Sequence, residues 1–220
     1  MGMRSTPVVV VVVIASFALV ACGFAGADIK GNGKARTEQR TLPTFRALSV
    51  SGSIEVRVVV GGKQSVELRG DDNVLPVIET RVTQDRLVVH STDSYSSKVP
   101  LELRITVPAL EALSASGACR GSVKGITGKT FALDASGASS FDLAGTVDRL
   151  RVDVSGSGTV RARGLVAASA RASVSGAGDV ELTATSQLDA SVSGAASIDY
   201  WGNPGSVQRS VSGAGSIEAR

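Results

Sequence analysis

A Ser-His-Asp relay needs an imidazole, and this 220-residue chain has one histidine, His90. His90 follows an alternation with Val88 that predicts a strand, which marks a structural histidine rather than a base. Zinc needs clustered Cys and His ligands, and the two cysteines, Cys22 and Cys119, stand far apart, so no metal and no cofactor is expected. The acids Asp134, Asp153, Asp179, Glu181, Asp199 and Glu218 fall in three columns and read as a solvated face. Ser175-Gly176-Ala177-Gly178-Asp179 looks like a calcium β-roll repeat, but its aspartate does not recur. Gly156-x-Gly158 is no phosphate loop, because no helical pattern follows it.

What remains is binding chemistry. Six serines each precede a glycine: Ser116, Ser136, Ser155, Ser175, Ser193 and Ser212. Such a hydroxyl row either stabilises a tight bend or forms a flat strip that docks a repetitive ligand, such as a glycan or a second rod. Arg161, Arg163 and Arg171 fall in one repeat and suit either a solvated edge or an anionic polysaccharide. Trp201, in the turn-rich Tyr200-Trp201-Gly202-Asn203-Pro204-Gly205, is either a lid over the core or a sugar-stacking or partner anchor.

These residues are positioned by a repeat. The glycines of the Ser-Gly pairs lie 20, 19, 20, 18 and 19 residues apart, a period that suits one coil of a β-solenoid. Aligned on the glycine, one phase is apolar at both ends and tiny in the middle, as in Leu150, Val152, Val154, Gly156, Gly158, Val160 and Ala162. Period-two alternation predicts strands with one buried face. The tiny pair is expected to face inward where the coil bends. Cys119 shares the second tiny position with Ser139, Gly158, Gly178, Ala196 and Gly215, so a small buried hydrophobe is expected there. Stacked about 4.8 Å apart, six coils make a rod roughly 25–30 Å long. The expected fold is all-β: a right-handed parallel β-helix with a partly antiparallel N-terminal β section.

The N-terminal half reads less regularly. Leu48-Ser49-Val50-Ser51-Gly52 is a diverged first copy of the repeat. Residues 54–60 and 64–69 flank Gly61-Gly62-Lys63 and predict a hairpin; residues 77–82 and 86–90 predict a second. Residues 71–76 predict a turn, and 101–107 an alternating strand closed by Pro108. This section is expected to cap the solenoid, since a bare end leaves backbone unpaired.

Residues 1–21 read as a targeting segment, with Arg4 ahead of an apolar run over 8–20 that is short for a membrane span. Leu19-Val20-Ala21-Cys22 resembles the lipobox of bacterial lipoproteins, which implies that Cys22 carries the lipid as the first mature residue. Gly23 after the cysteine implies the outer membrane in a Gram-negative cell. Losing Arg4 lowers the formal charge from +3 to +2, too little to argue for nucleic acid. Residues 22–43 read as a flexible tether and 44–220 as a single β-helix domain, split into the N-terminal β section 44–110 and the repeat coils 111–220.

The motifs Gly31-x-Gly33-Lys34, Phe45, Leu48-x-Val50-Ser51-Gly52-Ser53-Ile54-x-Val56 and Asp71-Asp72-Asn73-Val74-Leu75-Pro76-x-Ile78-Glu79 resemble the DUF2807 family, the head GIN domain of auto-transporter adhesins. The resemblance implies a β-helical envelope protein and brings no catalytic residues. The expected function is a lipid-anchored, non-catalytic, adhesin-like module for surface polysaccharide or an envelope protein. A self-associating structural solenoid is the runner-up, and a polysaccharide-active enzyme the third reading.

Overall fold

The computed structural model describes residues 28–220; Cys22 and the targeting segment lie outside the described residues. Strands run in the order β1 Ile29–Lys30, β2 Ala35–Gln39, β3 Ala47–Gly52, β4 Glu55–Val60, β5 Ser65–Asp71, β6 Ile78–Thr83, β7 Arg86–Ser91, β8 Tyr95–Ser96 and β9 Glu102–Val107. The repeats follow as β10 Ala112–Gly117, β11 Arg120–Gly137, β12 Ser140–Gly156, β13 Thr159–Gly176, β14 Asp179–Gly194, β15 Ser197–Trp201, β16 Ser206–Gly213 and β17 Ser216–Ala219. Each of β11 to β14 bends through most of one coil and pairs in parallel with the next. The result is a β-solenoid of about five turns that is 72% strand.

The alternation in the sequence becomes the wall of this solenoid. Leu113, Leu133, Val152, Ala172 and Ala190 stack in one register column and are all buried. The next inward column is Val50, Ala115, Ala135, Val154, Val174 and Val192, also buried. Leu48 and Val50 continue both columns on β3, so residues 47–52 are the first copy of the repeat, as the sequence predicts.

The N-terminal section covers one end of the rod with antiparallel strands. On the serine-bearing sheet, β7 adds in parallel to β3, and β6 closes it antiparallel through Gln84 and Asp85, both at positive φ. That is the second predicted hairpin. The first does not form. Strand β9 inserts between β4 and β5, parallel to the former and antiparallel to the latter. The glycines at 61 and 62 signal a reversal, but a local turn signal cannot say whether a third strand fits between the arms. Glu102 and Arg104 on β9 give it a reason to be there. Glu102, 5% exposed, accepts both Nε and Nη2 of Arg104 at 2.9 Å and faces Arg57 Nε at 3.1 Å, while Arg104 faces Glu67 at 3.6 Å.

The flexible tether is also corrected. Within residues 22–43, β1 pairs with β8 and β2 pairs antiparallel with β5, so the fold takes in residues well before 44. Asp71 explains why. It is fully buried, and its carboxylate accepts the backbone N–H of Gly33 at 2.6 Å, Lys98 at 2.9 Å and Val99 at 3.0 Å. Asn73 donates to the carbonyl of Lys30 at 2.8 Å and accepts from Asn32 N–H at 3.1 Å. Polar residues that show no hydrophobic period are thus held by hydrogen bonds to a distant turn.

Candidate functional site

Each Ser-Gly pair sits at a corner of the coil. The glycine C=O stays in the ladder: Ala177 N–H donates to Gly156 O, Ala195 N–H to Gly176 O and Ala214 N–H to Gly194 O, each at 2.9 Å. A Cβ on Gly176 would lie 2.5 Å from Gly156 O, and one on Gly194 would lie 2.4 Å from Gly176 O. The φ values of +117° and +114° exclude side chains independently. These glycines are exposed, which corrects the expectation that they face inward. The positive φ breaks the alternation at the corner, so the residue after next, not the glycine, returns to the interior.

That next inward column holds Cys119, Ser139, Gly158, Gly178 and Ala196, all buried. Cys119 is fully buried with Sγ 3.4 Å from Ser116 O, and burial pushes its thiol pKa up. It is a packing residue. Ser139 keeps its hydroxyl bonded to Ser136 O at 3.1 Å.

The serines face out, as expected. Ser116, Ser136, Ser155, Ser175, Ser193 and Ser212 follow one register column, which Ser51 extends. Ser136 is half-buried and its hydroxyl donates to Ala115 O at 3.4 Å on the preceding coil; the other five are exposed. Two residues earlier runs a parallel column, Ser49, Ser114, Asp134, Asp153, Ser173, Ser191 and Ser210. The two columns line a shallow groove of about 380 Å³ spanning β3 and β10 to β13. Arg151 Nε donates to Asp153 at 2.5 Å, and Arg86 Nη1 to the Ser114 hydroxyl at 3.3 Å.

Arg161 and Arg163 share one outward face of β13, on either side of the buried Ala162, and Arg171 does not join them. Arg161 lies on the neighbouring sheet, 3.8 Å from Asp142, while Arg171 on the serine sheet pairs with Asp189 at 3.2 Å. Arg163 stacks its guanidinium on Trp201, 4.7 Å from the ring centroid. Trp201 is therefore half-buried on the outside of a coil and is no lid; the inward residue beside it is Tyr200, 4% exposed, with Arg209 against its ring. Of the outward acids, Glu181, Asp199 and Glu218 stack in one column, and Arg220 bridges the last two at 3.1 Å each. His90 stands opposite Glu79 on the end hairpin, Nε2 3.4 Å from its carboxylate.

Nothing in the sequence pointed to a second cleft, about 1180 Å³, between residues 93–101 and the outer face of β4, β11 and β12. Its walls come from four separate segments, residues 52–57, 93–101, 118–122 and 140–142, so no local pattern reveals it. Among the described residues no cluster of three His, Cys, Asp or Glu could hold a metal, and no helix is long and apolar enough to cross a membrane.

A family model described as "Putative auto-transporter adhesin, head GIN domain" matches residues 44–204. Among solved structures, a putative adhesin from Bacteroides fragilis is 23% identical with a TM-score of 0.72, covering 87% of this chain and 100% of that one. A putative adhesin from Parabacteroides merdae is 19% identical with a TM-score of 0.58, covering 88% and 99%. A putative lipid binding protein from Parabacteroides distasonis is 21% identical with a TM-score of 0.52, again covering 88% and 99%. At these identities the likeness shows the fold. No curated protein matches the chain.

Proposed function

The chain belongs to the DUF2807 family, the "putative auto-transporter adhesin, head GIN domain", and from that premise we propose that it is an exported, lipid-anchored binding module that docks a repetitive surface polymer or an envelope protein on its serine face. The family and its adhesin-named structural neighbours support a non-catalytic, adhesin-like role. The observation that carries the finer reading is the groove between the two hydroxyl and carboxylate columns. Its rows repeat about every 4.8 Å, so each repeat of an extended ligand meets the same small polar side chains. Small side chains let a partner approach closely, and their exposed hydroxyls have capacity for further hydrogen bonds. Cys22 supplies the anchor in this reading, and the Gly23 that follows favours the outer membrane of a Gram-negative cell.

The test places bulk in the groove without touching the core. Ser155 and Ser175 are exposed and adjacent in register, so Ser155→Arg with Ser175→Arg sets two long cations side by side. Their stems splay into water, so the melting temperature should fall only slightly. Binding to whole cells or purified envelope polymer should drop by about tenfold or more, a loss of about 1.4 kcal/mol. Unchanged binding by the folded double variant sinks this reading. If the same variant instead abolishes concentration-dependent sedimentation of the protein alone, the serine face serves self-association.

A further inference from the structure

We propose that the cleft beneath residues 93–101 is a second site, built for a carboxylate-bearing oligosaccharide and separate from the serine groove. The cleft is large enough for several sugar units, about 1180 Å³, and open at its mouth. Its lining mixes apolar surface with hydrogen-bonding groups: Ser53, Ser97 and Ser122 offer hydroxyls, Arg120 and Lys98 offer cations, and Tyr95 offers the one aromatic ring. That mixture suits a polyhydroxylated ligand that carries acid groups.

Ion pairing within the protein decides the sign of charge left for a ligand. Glu55 is held by Arg57 at 2.6 Å, and Asp142 lies 3.8 Å from Arg161. Asp93 accepts the Thr92 hydroxyl at 3.1 Å. Arg57 is shared between Glu55 and the buried Glu102. Lys98 and Arg120 are both exposed and make no ion pair among the described residues. Two cations therefore face the cleft against a single acid, Asp93, that has no cation of its own.

Preorganisation adds to this. The backbone of Lys98 is fixed by the buried Asp71, and the segment before it is paired, Tyr95–Ser96 against Ile29–Lys30. Arg120 sits on a rigid strand in register between Glu55 and Ser140. Both cations are thus presented by ordered backbone, which lowers the entropy lost when a ligand is bound. Asp71 acts here as a positioning residue.

The experiment uses the full-length protein in mild detergent, with a short oligogalacturonate as probe and a neutral cello-oligosaccharide of equal length as control. The acidic probe should bind at least about tenfold more tightly than the neutral one, and added salt should erode the difference. Arg120→Ala and Lys98→Ala should each weaken the acidic probe about tenfold, the range of one charge-assisted hydrogen bond. Both residues are exposed, so unchanged melting curves will show that the variants are folded. Ser155→Arg with Ser175→Arg should leave this binding intact, which keeps the two sites distinguishable. Equal binding of the two probes, or wild-type binding by the folded Arg120→Ala, Lys98→Ala double variant, overturns the proposal. So does loss of the acidic probe in the serine variant alone, since the ligand then lies on the other face.

Discussion

At the residue scale, the repeat is a set of trades between neighbouring side chains. Where the inward position after the corner carries Cys119 or Ser139, the residue four before it is Ala115 or Ala135; where it is Gly158 or Gly178, that residue is Val154 or Val174. A Cβ on Gly158 would stand 3.1 Å from Val154 Cγ1 and equally close to the Ser139 carbonyl oxygen, tighter than an ordinary contact, and only the first of these can be relieved by trimming a side chain. Gly158→Ser should therefore cost about 1–3 kcal/mol by overpacking, and should cost about 1 kcal/mol less in a Val154→Ala background. Additive costs in a denaturant double-mutant cycle would show that the two positions do not compete for space. The corner glycines allow no such compensation, because every close contact a Cβ would make there is with backbone, the nearest at 2.4–2.7 Å, and their φ is positive. Gly176→Ala should cost on the order of 2–4 kcal/mol through positive φ and the collision with Gly156 O, whereas Ser175→Ala should cost less than about 1 kcal/mol. Comparable denaturation midpoints for these two variants would refute this account of the corner.

At the element scale, two buried carboxylates fasten the N-terminal strands. Burial alone would raise the Asp71 pKa, but the N–H groups of Val99, Gly33 and Lys98 outweigh it and hold the carboxyl below its ordinary range. Hydrogen bonds from Arg104 do the same for Glu102 against opposing burial, with further help from Arg57 and Arg69. A depressed folded-state pKa means that the folded protein holds these protons less readily than the unfolded chain. The stability they contribute is full above the ordinary carboxyl range, about pH 4–5, and is lost as pH falls through the depressed values. The melting temperature should thus be flat from neutrality to about pH 5 and fall below it. Asp71→Asn should flatten part of that acid limb and speed amide exchange at Lys98 and Val99, two of the groups it holds. A variant that keeps both the wild-type acid limb and slow exchange there would show that Asp71 is not the fastener.

At the scale of the whole molecule, docking of β1 and β2 shortens the tether. If Cys22 carries the lipid, six residue steps separate it from Asp28, the first described residue, a reach of about 20 Å when fully extended. The solenoid would then ride close to the bilayer, with the cleft-roofing segment at the anchored side, since β1 pairs directly with β8. Cys22→Ser should release the protein from membranes or block its maturation, read by detergent partitioning and by the mass of the mature N-terminus. Normal processing with unchanged partitioning would remove the anchor and the stand-off with it.

Several features were legible without coordinates because they are local and periodic. The spacing of the Ser-Gly pairs and the alternation around them led to a parallel solenoid, an outward serine column and a buried Cys119. The motif Gly31-x-Gly33 and the run Asp71-Asp72-Asn73 were equally visible, but their purpose was not. They clasp each other: Gly33 donates to Asp71, and a Cβ on Gly31 would lie 2.5 Å from the Asp71 carboxylate. Contacts across about 40 residues leave no period in the sequence, so tertiary structure alone turned a tether into two strands. The same reason hid the insertion of β9 between β4 and β5, the separation of Arg171 from Arg161 and Arg163, and the cleft. Direction at the corner was decided by backbone geometry: a positive φ takes the glycine out of the alternation, and alternation counted along a sequence assumes that φ never changes sign.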